Sequence, residues 1–97
     1  MYANIATIPL QPGTTDRCLA ILREAEPRLR ELPGLREWLV FSDGASTVLS
    51  LSLWATAADR DAAVASTSVR DAMAGLAPLL AGAPTRQPYD VLLHAAT

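Results

Sequence analysis

Residues 47–54 read Thr-Val-Leu-Ser-Leu-Ser-Leu-Trp, in which Leu49, Leu51 and Leu53 alternate with Ser50 and Ser52. Successive side chains of an extended backbone leave on opposite faces. Leu49, Leu51 and Leu53 therefore share one face, and Ser50, Ser52 and Trp54 share the other. A strand written this way belongs to a sheet with two different neighbours. The leucine face needs an apolar cover, because soluble domains rarely leave a contiguous apolar face in water.

The flanking segments supply the rest of the sheet and the layer that covers it. Residues 2–10 are rich in Ile, Thr and Tyr and run into Gln11-Pro12-Gly13, a strand followed by a turn. Thr14 and Thr15 offer helix caps, with Asp16 placed where the helix dipole favours a carboxylate. Cys18, Leu22, Ala25, Leu29 and Leu32 then recur at helical spacing, while Glu24–Arg28 and Glu26–Arg30 are spaced for ion pairs on the wet face. Pro27 predicts a kink or a restart, and Pro33-Gly34 ends the helix.

Residues 35–42 and 47–54 form two strands joined through Asp43-Gly44-Ala45-Ser46. Thr56 caps a second helical region, interrupted at Ser66-Thr67-Ser68 and continued by the stripe Val69, Met73, Leu76 and Leu80. A last strand is expected over 88–95. The order β-α-β-β-α-β within one domain, 1–97, predicts an α+β, ferredoxin-like split βαββαβ fold: a four-stranded antiparallel sheet with its helices on one face. The other face, carrying the three leucines, is expected to pack on the sheet of a second copy, giving a homodimer of the dimeric α/β barrel type.

Composition narrows the partners. The chain carries ten acidic and eight basic residues, a formal net charge of −2. Every basic residue is Arg, and Arg17, Arg23, Arg28, Arg30 and Arg36 interleave with glutamates rather than forming a phosphate-binding stripe, so nucleic acid is not an expected partner. No apolar run reaches the length of a membrane span and no signal-like start is present, so a cytoplasmic protein without membrane attachment is expected. Cys18 is the single cysteine, which excludes an internal disulfide, and it reads as a small apolar helix residue. No metal-ligand spacing, phosphate loop or nucleophile elbow is present.

Leu51-Ser52-Leu53-Trp54-Ala55-Thr56 followed by Ala57-Ala58-Asp59 resembles the strand, Trp, small polar cap and acidic helix start of the antibiotic biosynthesis monooxygenase family. Pro12-Gly13, Pro33-Gly34-Leu35 and Ser66 to Val69 are similar to that pattern in the same order, so the resemblance extends over essentially the whole chain. It implies a pocket between sheet and helices in which a cofactor-independent monooxygenase reaction takes place. There an aromatic polyketide-type intermediate, deprotonated to an electron-rich anion, would react directly with dioxygen without metal or flavin. Such a site must stabilise an oxyanion and exclude bulk water. A non-oxidative binding or cyclase-type member of the fold, or a structural dimerisation module, are the alternatives.

Trp54, Ser50 and His94 are the candidate catalytic residues. The Trp54 ring would line the pocket and offer its indole N–H to a ligand oxygen, against a plain packing role at the strand–helix corner. Ser50 stands four residues earlier on the same face, where the resemblance implies an Asn that orients substrate; the shorter hydroxyl has less reach. His94 is the single histidine of the chain and so a candidate base. Asn4, Ser52, Trp38, Met73 and Tyr89 are candidate substrate-binding residues. Ser52 and its neighbours are either a polar pocket wall or a solvated strand face, and Trp38 and Tyr89 either pocket rings or sheet packing. Haem-degrading relatives carry a His on the second helix; this helix has none, and Met73 on an apolar stripe is a core residue first.

Overall fold

The computed structural model describes residues 1–95. Strands β1 (Tyr2–Pro9), β2 (Leu35–Ser42), β3 (Thr47–Trp54) and β4 (Thr85–Asp90) form one antiparallel sheet in the order β2-β3-β1-β4. Helices α1 (Thr15–Leu29), α2 (Ala57–Val64) and α3 (Thr67–Leu76), with a 3-10 turn at Ala77–Leu79, complete the ferredoxin-like βαββαβ arrangement.

The expected breaks have local causes. Thr56 Oγ1 accepts the Asp59 N–H at 3.0 Å and opens α2; Ser66 Oγ accepts the Val69 N–H at 3.3 Å and opens α3. Two capped helices thus replace one interrupted region. Thr14 precedes α1 but does not cap it with its side chain, donating instead to the Gln11 carbonyl at 2.7 Å. Helix α1 runs through Pro27 without a restart. Both Pro27 and Arg23, whose carbonyl loses its partner there, are exposed, so water can take over that bond. Glu26–Arg30 forms the expected ion pair at 2.7 Å, whereas Arg28 turns to Asp71 of α3 at 3.3 Å.

The register sorts the sheet into two faces. Asn4, Ala6 and Ile8 of β1 pair with Ser52, Ser50 and Val48 of β3. Ile8 and Val48 lie in the core with Cys18 and Leu22 of α1 and Leu76 of α3, so this is the face the helices cover. Ala3, Ile5 and Thr7 pair with Leu53, Leu51 and Leu49 on the opposite face, which also carries Leu39, Phe41 and Tyr89. Leu39, Phe41 and Tyr89 are each about half exposed. The three leucines of β3 therefore lie on the face away from the helices, as the alternation required.

The last strand differs from the expected 88–95. It comprises Thr85–Asp90, all exposed, and ends where Val91 to Leu93 begin. The apolar run suggested a strand, but Leu92 and Leu93 are exposed and lie outside the sheet. The polar segment before them makes an edge strand, a position that tolerates Pro88.

Gly34 joins α1 to β2 with a φ of 78°. A Cβ there would collide with the Asp59 carboxylate, so only glycine fits both the backbone and the approach of α2.

Candidate active site

A cavity of about 100 Å³ lies between the helix-covered face of the sheet and the helices. Its floor is a grid of side chains fixed by strand register. One row across the sheet reads Val40, Ser50, Ala6, Arg86; the next reads Trp38, Ser52, Asn4, Pro88. Trp54 closes one end of the floor, and Leu22, Leu29, Val69, Ala72 and Met73 form the helical roof. A β-bulge between Leu35 and Glu37 shifts the parity of β2, so Leu35 and Trp38, three residues apart, both line the cavity.

Both indole N–H groups of the floor are already paired. Trp38 Nε1 donates to Ser50 Oγ at 2.7 Å, and Trp54 Nε1 donates to Ser52 Oγ at 2.9 Å. Ser52 Oγ donates in turn to the Asn4 carbonyl at 3.4 Å, a long bond. The two indole N–H groups are therefore not free to donate to a ligand, as had been expected of Trp54. Their rings are fixed walls, and the serines present the hydroxyl chemistry. Ser50 Oγ accepts from Trp38, and among the described residues its own proton has no acceptor in the chain. A hydroxyl carries one donor beside its lone pairs, so Ser50 can still donate into the cavity.

Six of the eight candidate residues, Trp54, Ser50, Ser52, Asn4, Trp38 and Met73, line this one space. Two do not. Tyr89 pairs with Ala3 and stands on the opposite sheet face, away from the cavity. His94 Nε2 lies 3.1 Å from Glu37 Oε2, and Glu37 pairs with Leu53 on that same outer face. The histidine is thus held apart from the indoles and serines it was expected to serve.

The two charged lining residues, Arg60 of α2 and Arg86 of β4, were not among the candidates. Arg60 is held in place by three contacts. Its Nη1 donates to the Tyr89 carbonyl at 3.3 Å, its Nε to Asp61 at 3.1 Å, and its guanidinium lies 5.6 Å from the centre of the Tyr2 ring. Among the described residues no Asp, Glu, His, Tyr or Cys lines the cavity. Among the described residues no three of His, Cys, Asp and Glu come together as metal ligands. Cys18 is fully buried in the core, where desolvation raises its thiol pKa above the usual value. No described helix is long and apolar enough to cross a membrane.

The sequence profile of the antibiotic biosynthesis monooxygenase family matches residues 1–75. The chain belongs to that family. No curated protein matches it significantly. Solved structures share the fold at low identity. A protein of unknown function from Nitrosomonas europaea superposes with a TM-score of 0.86 at 23% identity, covering 99% of this chain and 93% of its own. An antibiotic biosynthesis monooxygenase structure gives 0.81 at 19%, over 96% of this chain and 100% of that one. A Mycobacterium tuberculosis protein gives 0.82 at 18%, over 98% of each chain. This antibiotic biosynthesis monooxygenase family member carries Ser50 where the family resemblance had implied an orienting Asn.

Proposed function

We propose that the chain is a cytoplasmic, cofactor-independent monooxygenase acting on an electron-rich aromatic, polyketide-type intermediate of secondary metabolism, and that it works as a homodimer. The observation that carries this reading is the cavity itself: two fixed indole rings, an apolar roof, and a hydroxyl at Ser50 with a proton to give. A small aromatic molecule suits such a space, since ligand sites are mostly apolar with a few placed polar groups.

The chemistry rests on the substrate. A reduced anthrone-type ring loses a proton to give an anion, which transfers electrons to dioxygen as a C–O bond forms. Protonation gives a hydroperoxide, and loss of water leaves the ketone: one methylene and one O₂ yield one carbonyl and one H₂O. Ser50 donates to the ring oxygen that bears the negative charge, and Trp38 fixes that hydroxyl from behind. No lining residue is a neutral-pH base, so the first proton leaves to solvent and the protein contributes by stabilising the anion. The absence of a lining base also favours a second reading, a binding or cyclase-type member that shapes its ligand without oxygen.

The homodimer is supported by Ile5, Leu39, Phe41, Leu49 and Leu51 on the face the helices leave uncovered. Oxygen uptake separates the first two readings. With a reduced anthrone, the oxygenase consumes one O₂ per quinone formed; a binder protects or reshapes the ligand with no uptake above the uncatalysed rate.

A further inference from the structure

Among the described residues, Arg60 and Arg86 are the only charged side chains on the cavity wall, and both are cationic. The chain as a whole is acidic, with a formal charge of −2, so this local excess runs against its composition. Arg86 forms no ion pair among the described residues. The one carboxylate paired with Arg60 among the described residues is Asp61, whose side chain is 68% exposed and does not line the cavity, so water screens that carboxylate while the guanidinium, 13% exposed, stays at the wall. Arg60 Nη2 makes no hydrogen bond within the described chain.

We infer that the two arginines form an anion subsite, and that the ligand of this cavity is an aromatic acid carrying a carboxylate at the end remote from Ser50. This rests on the cavity being the ligand site but not on oxygen chemistry. The register fixes the spacing. Ser50, Ala6 and Arg86 lie in one row on adjacent strands β3, β1 and β4. Two strand spacings put the Ser50 and Arg86 backbones roughly 10 Å apart. Ala6, the small residue between them, leaves the floor open for a ring to lie across β1. An oxygen on Ser50 and a carboxylate toward Arg86 would then bracket the ring system. Guanidinium is the side chain best matched to a carboxylate, through paired parallel N–H donors. With no lining acid to compete, the subsite selects against neutral and cationic analogues.

Calorimetric titration with naphthalene-2-carboxylate and its neutral carboxamide tests this without any turnover. A charge-assisted pair at the wall predicts that the carboxylate binds about tenfold or more tightly than the amide. Arg86→Gln should abolish that preference by weakening carboxylate binding far more than amide binding; Arg86 is exposed on an edge strand, and an unaltered circular dichroism spectrum checks that the variant folds. Equal affinity for the two ligands, a preference that survives in both Arg86→Gln and Arg60→Gln, or no binding of either would overturn the subsite. Carboxylate-selective binding without oxygen uptake would leave the subsite standing and overturn only the oxygenase reading.

Discussion

Across the β2–β3 hairpin, the indole nitrogen of Trp38 donates to the hydroxyl oxygen of Ser50 at 2.7 Å. The bond joins residues on neighbouring strands and fixes both a ring and a hydroxyl in the wall of one cavity. Ser50→Ala leaves a half-buried indole N–H without its partner, at an expected cost of about 1–2 kcal/mol. Trp38→Phe removes the donor as well, so a double-mutant cycle in urea should return a coupling of about 1 kcal/mol between the two sites. Additive effects would mean that the bond does not persist in solution.

Gly13 and Gly34 both have positive φ, 79° and 78°, but only Gly34 has a neighbour in the way. Each Gly→Ala change incurs backbone strain of about 1–3 kcal/mol. Gly34→Ala must in addition displace the Asp59 carboxylate, so it should lower the urea midpoint clearly further than Gly13→Ala. Equal midpoints would show that α2 does not sit against the α1–β2 turn.

Asp43 accepts backbone N–H groups from Ala45 at 2.8 Å and Thr47 at 3.2 Å, and these bonds hold its carboxyl below the ordinary value of 3.8. A depressed folded pKa contributes stability that is present above the unfolded pKa and lost as pH falls through the folded one. Thermal melts should therefore show part of the acid-induced fall in Tm coming from this hairpin loop. Asp43→Asn, which keeps a carbonyl acceptor but cannot titrate, should flatten that part of the curve. An unchanged acid slope would remove Asp43 from the account.

Cys18 is fully buried, and desolvation pushes its thiol pKa up. A thiol-specific chromogenic reagent should react with the native protein only as fast as it opens, and at once in denaturant. Rapid native labelling would contradict its place in the core.

Phe41 is about half exposed on the sheet face that the helices leave bare. Light scattering should give a solution mass twice the 10.3 kDa of one chain, and Phe41→Asp should reduce it to a single chain with little loss of fold. A wild-type monomer at micromolar concentration would remove the proposed homodimer.

The alternation of residues 47–54 was enough to divide the sheet into a helix-covered and an uncovered face, because strand parity is a local property. The cap residues Thr56 and Ser66 were legible for the same reason. What was not legible depends on contacts distant in sequence. The Trp38–Ser50 bond needs the hairpin register, and Leu35 joins Trp38 at the cavity only through the bulge between Leu35 and Glu37. Arg86 falls outside the expected 88–95 because the apolar run Val91 to Leu93 places that strand three residues late at its start and five at its end, against Thr85–Asp90. Arg60 has no local signal that marks it as a site residue, since only the fold brings it over Tyr2. His94 and Tyr89 were assigned by side-chain chemistry, and the sheet puts both on the wrong face for the cavity.

The account depends on a ligand lodging between the sheet and the helices rather than on the outer face. Both tryptophans of the chain line that cavity, so their two indole N–H resonances report on it alone. Titrating naphthalene-2-carboxylate into ¹⁵N-labelled protein should shift both indole signals and the backbone amides of Ser50 and Ala6 together. Shifts confined to Leu39, Phe41 and Tyr89, with both indole signals unmoved, would contradict it.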